Sequence, residues 1–178
     1  MEIRAKELAG VYEIMPELVE DERGYFARFF DYELFQEYGL ATQYQQESFS
    51  YNRTVGTLRG LHYQVPPHGE IKLVSCISGS VFDVAVDIRP DSPTFGKYCS
   101  SILSAAKRNC LYIPTGFLHG FQTLEPDSTI MYKMSASYHK DAGRTINYQS
   151  PEFGIAWPLE VSVISEKDKA AKTWGESV

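Results

Sequence analysis

The chain has little that would staple or anchor it. Its 178 residues hold three cysteines, Cys76, Cys99 and Cys110, an odd count at wide spacing with no C-x-x-C pair. That excludes a disulfide framework and a cysteine zinc cluster, and it suits a reducing cytosol. No apolar run approaches the ~20 residues of a membrane span, and the opening MEIRAKELAG lacks the apolar stretch of a secretory signal. The expectation is a soluble cytoplasmic protein from which nothing is cleaved. Positive charge is also scarce: 17 Lys and Arg against 23 Asp and Glu leave a formal net charge of −6. Such a balance argues against nucleic acid or an anionic membrane as partner, so an anionic ligand needs a local basic cluster. Repeats, low-complexity tracts and linkers are missing too. At 178 residues and 43% hydrophobic, the chain is expected to form one globular domain, residues 1–178, with a sizeable core.

What is present is β-forming sequence. Short segments rich in Val, Ile, Tyr, Phe and Thr, bounded by Gly, Pro, Asp or Asn, predict an all-β fold. IKLVSCISGSVFDVAVDIR reads as two strands about a hairpin turn at Ser78-Gly79. In its second half Phe82, Val84, Val86 and Ile88 share one face; Val81, Asp83, Ala85 and Asp87 share the other. Asp83 is therefore expected as a polar member of a barrel interior. Further strands are expected at GVYEIMP, GYFARFF, ESFSY, TLRGLHYQ, SSILSA, NCLYIP, HGFQTLE and TIMYKMSASY. Two segments read as helices. DYELFQEYG has Asp31 as N-cap and Gly39 as a stop, and SEKDKAAKTW has Ser165 and Asp168 at capping-box spacing. Roughly ten short strands with only peripheral helices predict a sandwich or barrel such as a jelly roll.

TLRGLHYQ carries the densest chemistry. Arg59 and His62 are three positions apart, so strict alternation sends them to opposite faces. Gly60 lies between them, and glycine inside a strand marks a bulge or bend that brings both to one site. An imidazole suits proton transfer at physiological pH, and a guanidinium suits phosphate oxygens. Each candidate also has a plain structural reading. His62 can be a satisfied buried histidine, Lys72 an outward strand lysine, Tyr132 a core aromatic, and Asp168 the third residue of a helix cap. A metal reading collects His62, His68, Glu70 and His119. It is disfavoured because metal-binding strands of this type present two histidines at i, i+2, whereas the partner of His62 is Gln64 and His68 follows Pro66-Pro67.

Together RGYF, GTLRGLHYQ, KLVSCISGSVFDVAVDIRPDSPTFGKY, YIPTGFLHGF, MYKMSASY, FGIAWP and SEKD resemble, in order and spacing, the nucleotide-sugar 3,5-epimerases, nearest to the dTDP-4-dehydrorhamnose 3,5-epimerases. The resemblance runs from about Arg23 to Asp168. It implies a cupin-type jelly roll with short peripheral and C-terminal helices, working as a homodimer without redox cofactor or metal. The implied substrate is a nucleoside-diphosphate 4-keto-6-deoxyhexose. By the same resemblance His62 is the base, Asp168 its partner, Lys72 the stabiliser of the C4 oxyanion, and Tyr132 the opposite-face acid. Arg23 and Arg59 answer to the diphosphate, His119 to the sugar pocket, and Tyr138 stacks on the nucleobase. Glu47, Lys167 and Asp83 complete the implied substrate contacts, and Arg23 belongs to a segment that crosses to the partner subunit. Some positions depart from the family pattern: Arg28 and Gly143 stand where Glu is usual. Glu47, Ser48 and Phe49 replace Gln-Asp-Asn, and Glu70 replaces a frequent Gln. These departures gather around the nucleotide and leave a CDP-, UDP- or GDP-linked sugar, or inversion at one carbon, as alternatives. A metal-dependent cupin enzyme and a non-catalytic binding module are more remote ones.

Overall fold

Turn-forming residues cut the described part of the chain into fourteen strands and two short helices. The computed structural model describes residues 1–177. In chain order the elements are β1 (Glu2–Ala5), β2 (Tyr12–Met15), β3 (Leu18–Asp21), β4 (Gly24–Ala27), α1 (Tyr32–Glu37), β5 (Gln46–Asn52), β6 (Thr57–Gln64) and β7 (Lys72–Ser78). They continue with β8 (Ser80–Asp87), β9 (Tyr98–Ser104), β10 (Cys110–Ile113), β11 (Phe117–Thr123), β12 (Ser128–Met134), β13 (Gly143–Thr145), β14 (Val163–Ile164) and α2 (Glu166–Lys169). One sheet runs β1-β2-β10-β7-β12-β5 and the other β13-β6-β11-β8-β9, with β14 added parallel to β6. The two antiparallel sheets face each other as a jelly roll, and β3 and β4 form a separate hairpin.

Period-two alternation distributes the core. Val74 and Cys76 of β7, Ile130 of β12, Val81 and Ala85 of β8, and Phe117 and Phe121 of β11 meet between the sheets. Val84, Val86, Leu61 and Leu118 point the other way, where Tyr63, Trp157 and Trp174 cover them. On the far side of the first sheet, Phe35 of α1 packs with Leu73, Cys110 and Tyr112. Both faces of β8 are thus apolar except at its aspartates, as its alternation predicts. Asp31 caps α1 by accepting from the Leu34 N–H, and Gly39 ends it at φ +67°.

Several expectations are corrected. Ser78-Gly79 is not a hairpin, because β7 pairs with β10 and β12 whereas β8 pairs with β9 and β11. The turn is a corner between the sheets. Gly79 takes φ +71°, and a Cβ there would lie 3.0 Å from Ser128 Cα. The second helix is a single turn, because Asn147 captures the chain beyond it. Its N–H and Nδ2 donate to the Lys172 and Ala171 carbonyls, and Trp174 then packs under Tyr63. GYFARFF is strand only to Ala27; Phe30 turns in against Phe35, ring centroids 4.9 Å apart. The short strands β1, β3, β13 and β14 lie outside the predicted segments.

The bend expected at Gly60 is present. Between β6 and β11, His119 is opposite His62 and Phe121 is opposite Arg59, so three steps on β6 match two on β11. This bulge resets the alternation, and Arg59 and His62 line one cleft. Gly60 sits at φ +123°, and a Cβ there would come within 2.6 Å of Gly120 Cα. Gly60→Ala is therefore expected to cost at least about 2 kcal/mol in urea unfolding. A loss below ~0.5 kcal/mol, the range of neutral surface changes, would contradict the packing described here.

Candidate active site

The bulge delivers its side chains to a cleft of about 780 Å³ at the polar end of the inter-sheet space. Lys72 comes from β7, where it continues the inward face of Val74 and Cys76 rather than pointing to solvent. Tyr132 comes from β12 and His119 from β11, each on the inward parity of its strand. With Arg59, His62, Glu47, Tyr138 and Lys167 they all line this one cleft.

His62 Nε2 lies 2.7 Å from Asp168 Oδ1. A carboxylate only accepts, so the neutral ring carries its proton on Nε2 and leaves Nδ1 as the basic nitrogen. The imidazole is 43% exposed while the Asp168 side chain is 5% exposed, so the pair has an open end and an enclosed one. Asp168 Oδ2 accepts from the Gly60 N–H at 3.3 Å, which ties the bulge to the carboxylate. Ser165 does cap α2, accepting from the Asp168 N–H at 3.1 Å, but the Asp168 carboxylate turns to His62 instead of back to the cap. Burial works against ionising Asp168; the hydrogen bond and charge of His62, with the Gly60 N–H and Ser165, outweigh it and hold the carboxyl below its ordinary range.

A second dyad stands beside the first. His119 Nε2 contacts Asp83 Oδ1 and Oδ2 at 3.0 and 2.9 Å, with the side chains 6% and 0% exposed. Asp83 is thus enclosed beneath His119 and does not line the cleft, so it reaches a ligand only through that ring. The His119 ring meets Tyr132 edge-on, centroids 6.2 Å apart. Burial, then the charge of Asp83, pushes the Tyr132 phenol above its ordinary value, with Ser50 and Arg59 acting against the rise. Tyr132 is consequently a protonated group at neutral pH.

Lys72 Nζ is paired with Glu70 Oε1 at 3.1 Å and lies 3.4 Å from the His62 carbonyl. Arg59 donates from Nε to Asn52 Oδ1 at 2.7 Å, while the Asn52 amide nitrogen is held by the Ser50 and Ser128 carbonyls. Glu47 accepts from Lys133 Nζ at 2.6 Å. Tyr138 is 61% exposed at the rim, with Gly143 so close behind that a Cβ there would touch its ring at 3.4 Å. Arg23 is not among these residues. It sits in the β3–β4 turn, 85% exposed and bound to Asp21 of its own hairpin. Arg28 likewise turns to Asp31, 2.9 Å away.

Sequence reasoning missed Asn52 as the partner of Arg59, Glu70 as the partner of Lys72, and Asp83 as the partner of His119. Gln64, two residues after His62 on the same face, was the one legible signal; its amide nitrogen donates to Glu70 Oε2 at 3.1 Å. Of the residues of the metal reading, His62, Glu70 and His119 line the cleft, but each is committed to another partner. His62 is tied to Asp168, His119 to Asp83 and Glu70 to Lys72, while His68 stacks on His139 at 3.9 Å. Among the described residues no three His, Cys, Asp or Glu converge as a metal site.

A two-sheet jelly roll whose cleft joins carboxylate-backed histidines to a lysine and a tyrosine is a cupin-type fold with groups able to exchange protons. The family model for dTDP-4-dehydrorhamnose 3,5-epimerase matches residues 5–176, and the chain belongs to that family, whose members are isomerases. It is 41% identical over 169 residues to the dTDP-4-dehydrorhamnose 3,5-epimerase of Shigella flexneri, covering 94% of this chain and 93% of that one. The crystal structure of the Elizabethkingia anophelis dTDP-4-dehydrorhamnose 3,5-epimerase superposes with a TM-score of 0.94 at 37% identity, over 99% of this chain and 97% of the other. The dTDP-6-deoxy-D-glucose-3,5-epimerase of Legionella pneumophila, solved in complex with dTDP-4-keto-L-rhamnose, gives 0.91 at 40% identity, over 97% and 92%.

Proposed function

We propose that the chain, as one domain over residues 1–178, inverts C3 and C5 of dTDP-4-dehydro-6-deoxy-D-glucose to give dTDP-4-dehydro-L-rhamnose, for deoxysugar and polysaccharide synthesis. The observation that carries this reading is the half-open His62 ring, oriented by enclosed Asp168 in the cleft that also holds Lys72 and Tyr132. His62 Nδ1 takes the proton α to the C4 ketone, and the C–H electron pair moves onto the C4 oxygen. Lys72 stabilises that enolate oxygen. Collapse of the enolate takes the Tyr132 hydroxyl proton onto the opposite face of the carbon, which completes the inversion. Water in the open cleft resets both groups, and the sequence repeats at the second carbon. The electron pair never leaves the substrate, so the chemistry requires no redox cofactor, and Lys72 fills the place a Lewis acid would take at the enolate oxygen.

Binding is assigned on the same basis. Arg59, aimed by Asn52, and Lys167 hold the diphosphate, His119 holds the sugar, and the free face of Tyr138 stacks on thymine with Glu47 nearby. Three free buried thiols support a reducing, cytosolic location, which subcellular fractionation checks; no described helix is long and apolar enough to cross a membrane. Arg23 acts in the cleft of a second copy, a reading supported by its absence from the lining of its own cleft and by the exposed hairpin that carries it. Val19 and Phe26 pair across that hairpin, each 66% exposed, and await cover. Sedimentation at micromolar concentration is expected to give a homodimer, and a monomer would remove Arg23 from the site.

The test of the reaction is proton NMR in deuterated water with the 4-keto sugar nucleotide. Wild-type enzyme is expected to exchange and invert both C3 and C5. Tyr132→Phe is expected to wash out substrate protons while completed inversion falls about 10²-fold or more. Exchange at one carbon alone would show a mono-epimerase, and no exchange at either would defeat the reading.

A further inference from the structure

The Glu70–Lys72 pair is a charged contact of the cleft whose acid the roles above do not use. A buried ammonium and a buried carboxylate are both costly to desolvate, and each persists here because the other is present. Their side chains are each 10% exposed, with Lys72 Nζ and Glu70 Oε1 3.1 Å apart. The second carboxylate oxygen is fixed independently, accepting from Gln64 Nε2 at 3.1 Å. Gln64 is itself locked. Its amide oxygen accepts from the His139 N–H at 2.6 Å, so its NH₂ must face Glu70 and the His68 carbonyl at 3.0 Å. A lysine has four rotatable bonds and would otherwise wander within a 780 Å³ cleft. Here a rigid chain of Gln64, Glu70 and Lys72 leads from β6 to one fixed ammonium position beside His62.

We infer that Glu70 is a positioning residue, whose carboxylate, backed by Gln64, holds the Lys72 ammonium where the C4 oxygen acquires its charge. The inference rests on the epimerase reading. It also carries an electrostatic consequence. Glu70 repels the enolate as well as holding its partner, so its net effect is favourable only while Lys72 stands between them. Without Lys72 it becomes an unpaired buried anion facing the developing charge.

A double-mutant cycle on proton exchange at C3 separates this from a merely structural role. Glu70→Ala is expected to lower kcat about 10- to 100-fold with KM within ~3-fold, because the lost interaction is made in the transition state. Glu70→Gln keeps one acceptor for Lys72 but sets its own NH₂ against that of Gln64, so its kcat is expected to fall between those of wild type and Glu70→Ala; an unchanged kcat here overturns the assignment even if the alanine variant fails to fold. Lys72→Ala is expected to lose more than either, and Glu70→Ala added to Lys72→Ala is expected to cost nothing further or to restore some rate. Glu70→Ala with unchanged kcat, a loss confined to KM, or losses that multiply in the double variant would each overturn the assignment while wild-type exchange leaves the epimerase reading intact. An inactive wild type would overturn both.

Discussion

The contact between His62 Nε2 and Asp168 Oδ1 organises this molecule. It closes a loop of more than half the chain, |i−j| = 106, and joins the bulged strand β6 to the single turn α2. It depends on the bulge, because without the extra residue at Gly60 the imidazole and Arg59 would face opposite sides of the sheet. The bulge in turn depends on Asp168, whose second oxygen accepts from the Gly60 N–H. One carboxylate therefore fixes a backbone irregularity, a ring orientation and a tautomer together.

Around that contact the inter-sheet space divides into two halves. One is filled by Val74, Val81, Ala85, Leu103 and Phe121 and provides the hydrophobic stabilisation of the sandwich. The other holds polar groups that would be costly to bury alone, and nearly all of them are paired: His119 with Asp83, Lys72 with Glu70, Arg59 with Asn52. The pairs are not equivalent. The His119 side chain is 6% exposed and that of His62 is 43% exposed, which separates a fixed ring from one a substrate can reach. That asymmetry is the physical reason to give the two histidines different work.

Much of this was legible in the sequence, because it follows from local rules. Gly60 between Arg59 and His62 announced the bulge, and the alternation of β8 placed Asp83 inside. The cap at Asp31 and the stop at Gly39 followed from residue type. What was not legible depends on partners distant in the chain. Ser78-Gly79 marks a sharp turn, but whether the flanking strands pair or part is decided by β10, β11 and β12. Ser165 and Asp168 have capping spacing, yet the carboxylate has a stronger partner 106 residues away. The early end of α2 is set by Asn147, outside the helix. Glu70 is near Lys72 in the sequence, but the Gln64 amide that fixes its carboxylate is itself held by the N–H of distant His139.

The proposed proton transfer requires that Asp168 set His62 as the tautomer protonated at Nε2, with Nδ1 free. Long-range proton–nitrogen NMR of ¹⁵N-histidine-labelled protein at alkaline pH, with His62→Asn to assign the ring, reads this directly. The Nε2-protonated pattern is expected for His62, lost or mixed in Asp168→Asn. A His62 ring protonated at Nδ1 in the wild type would contradict it.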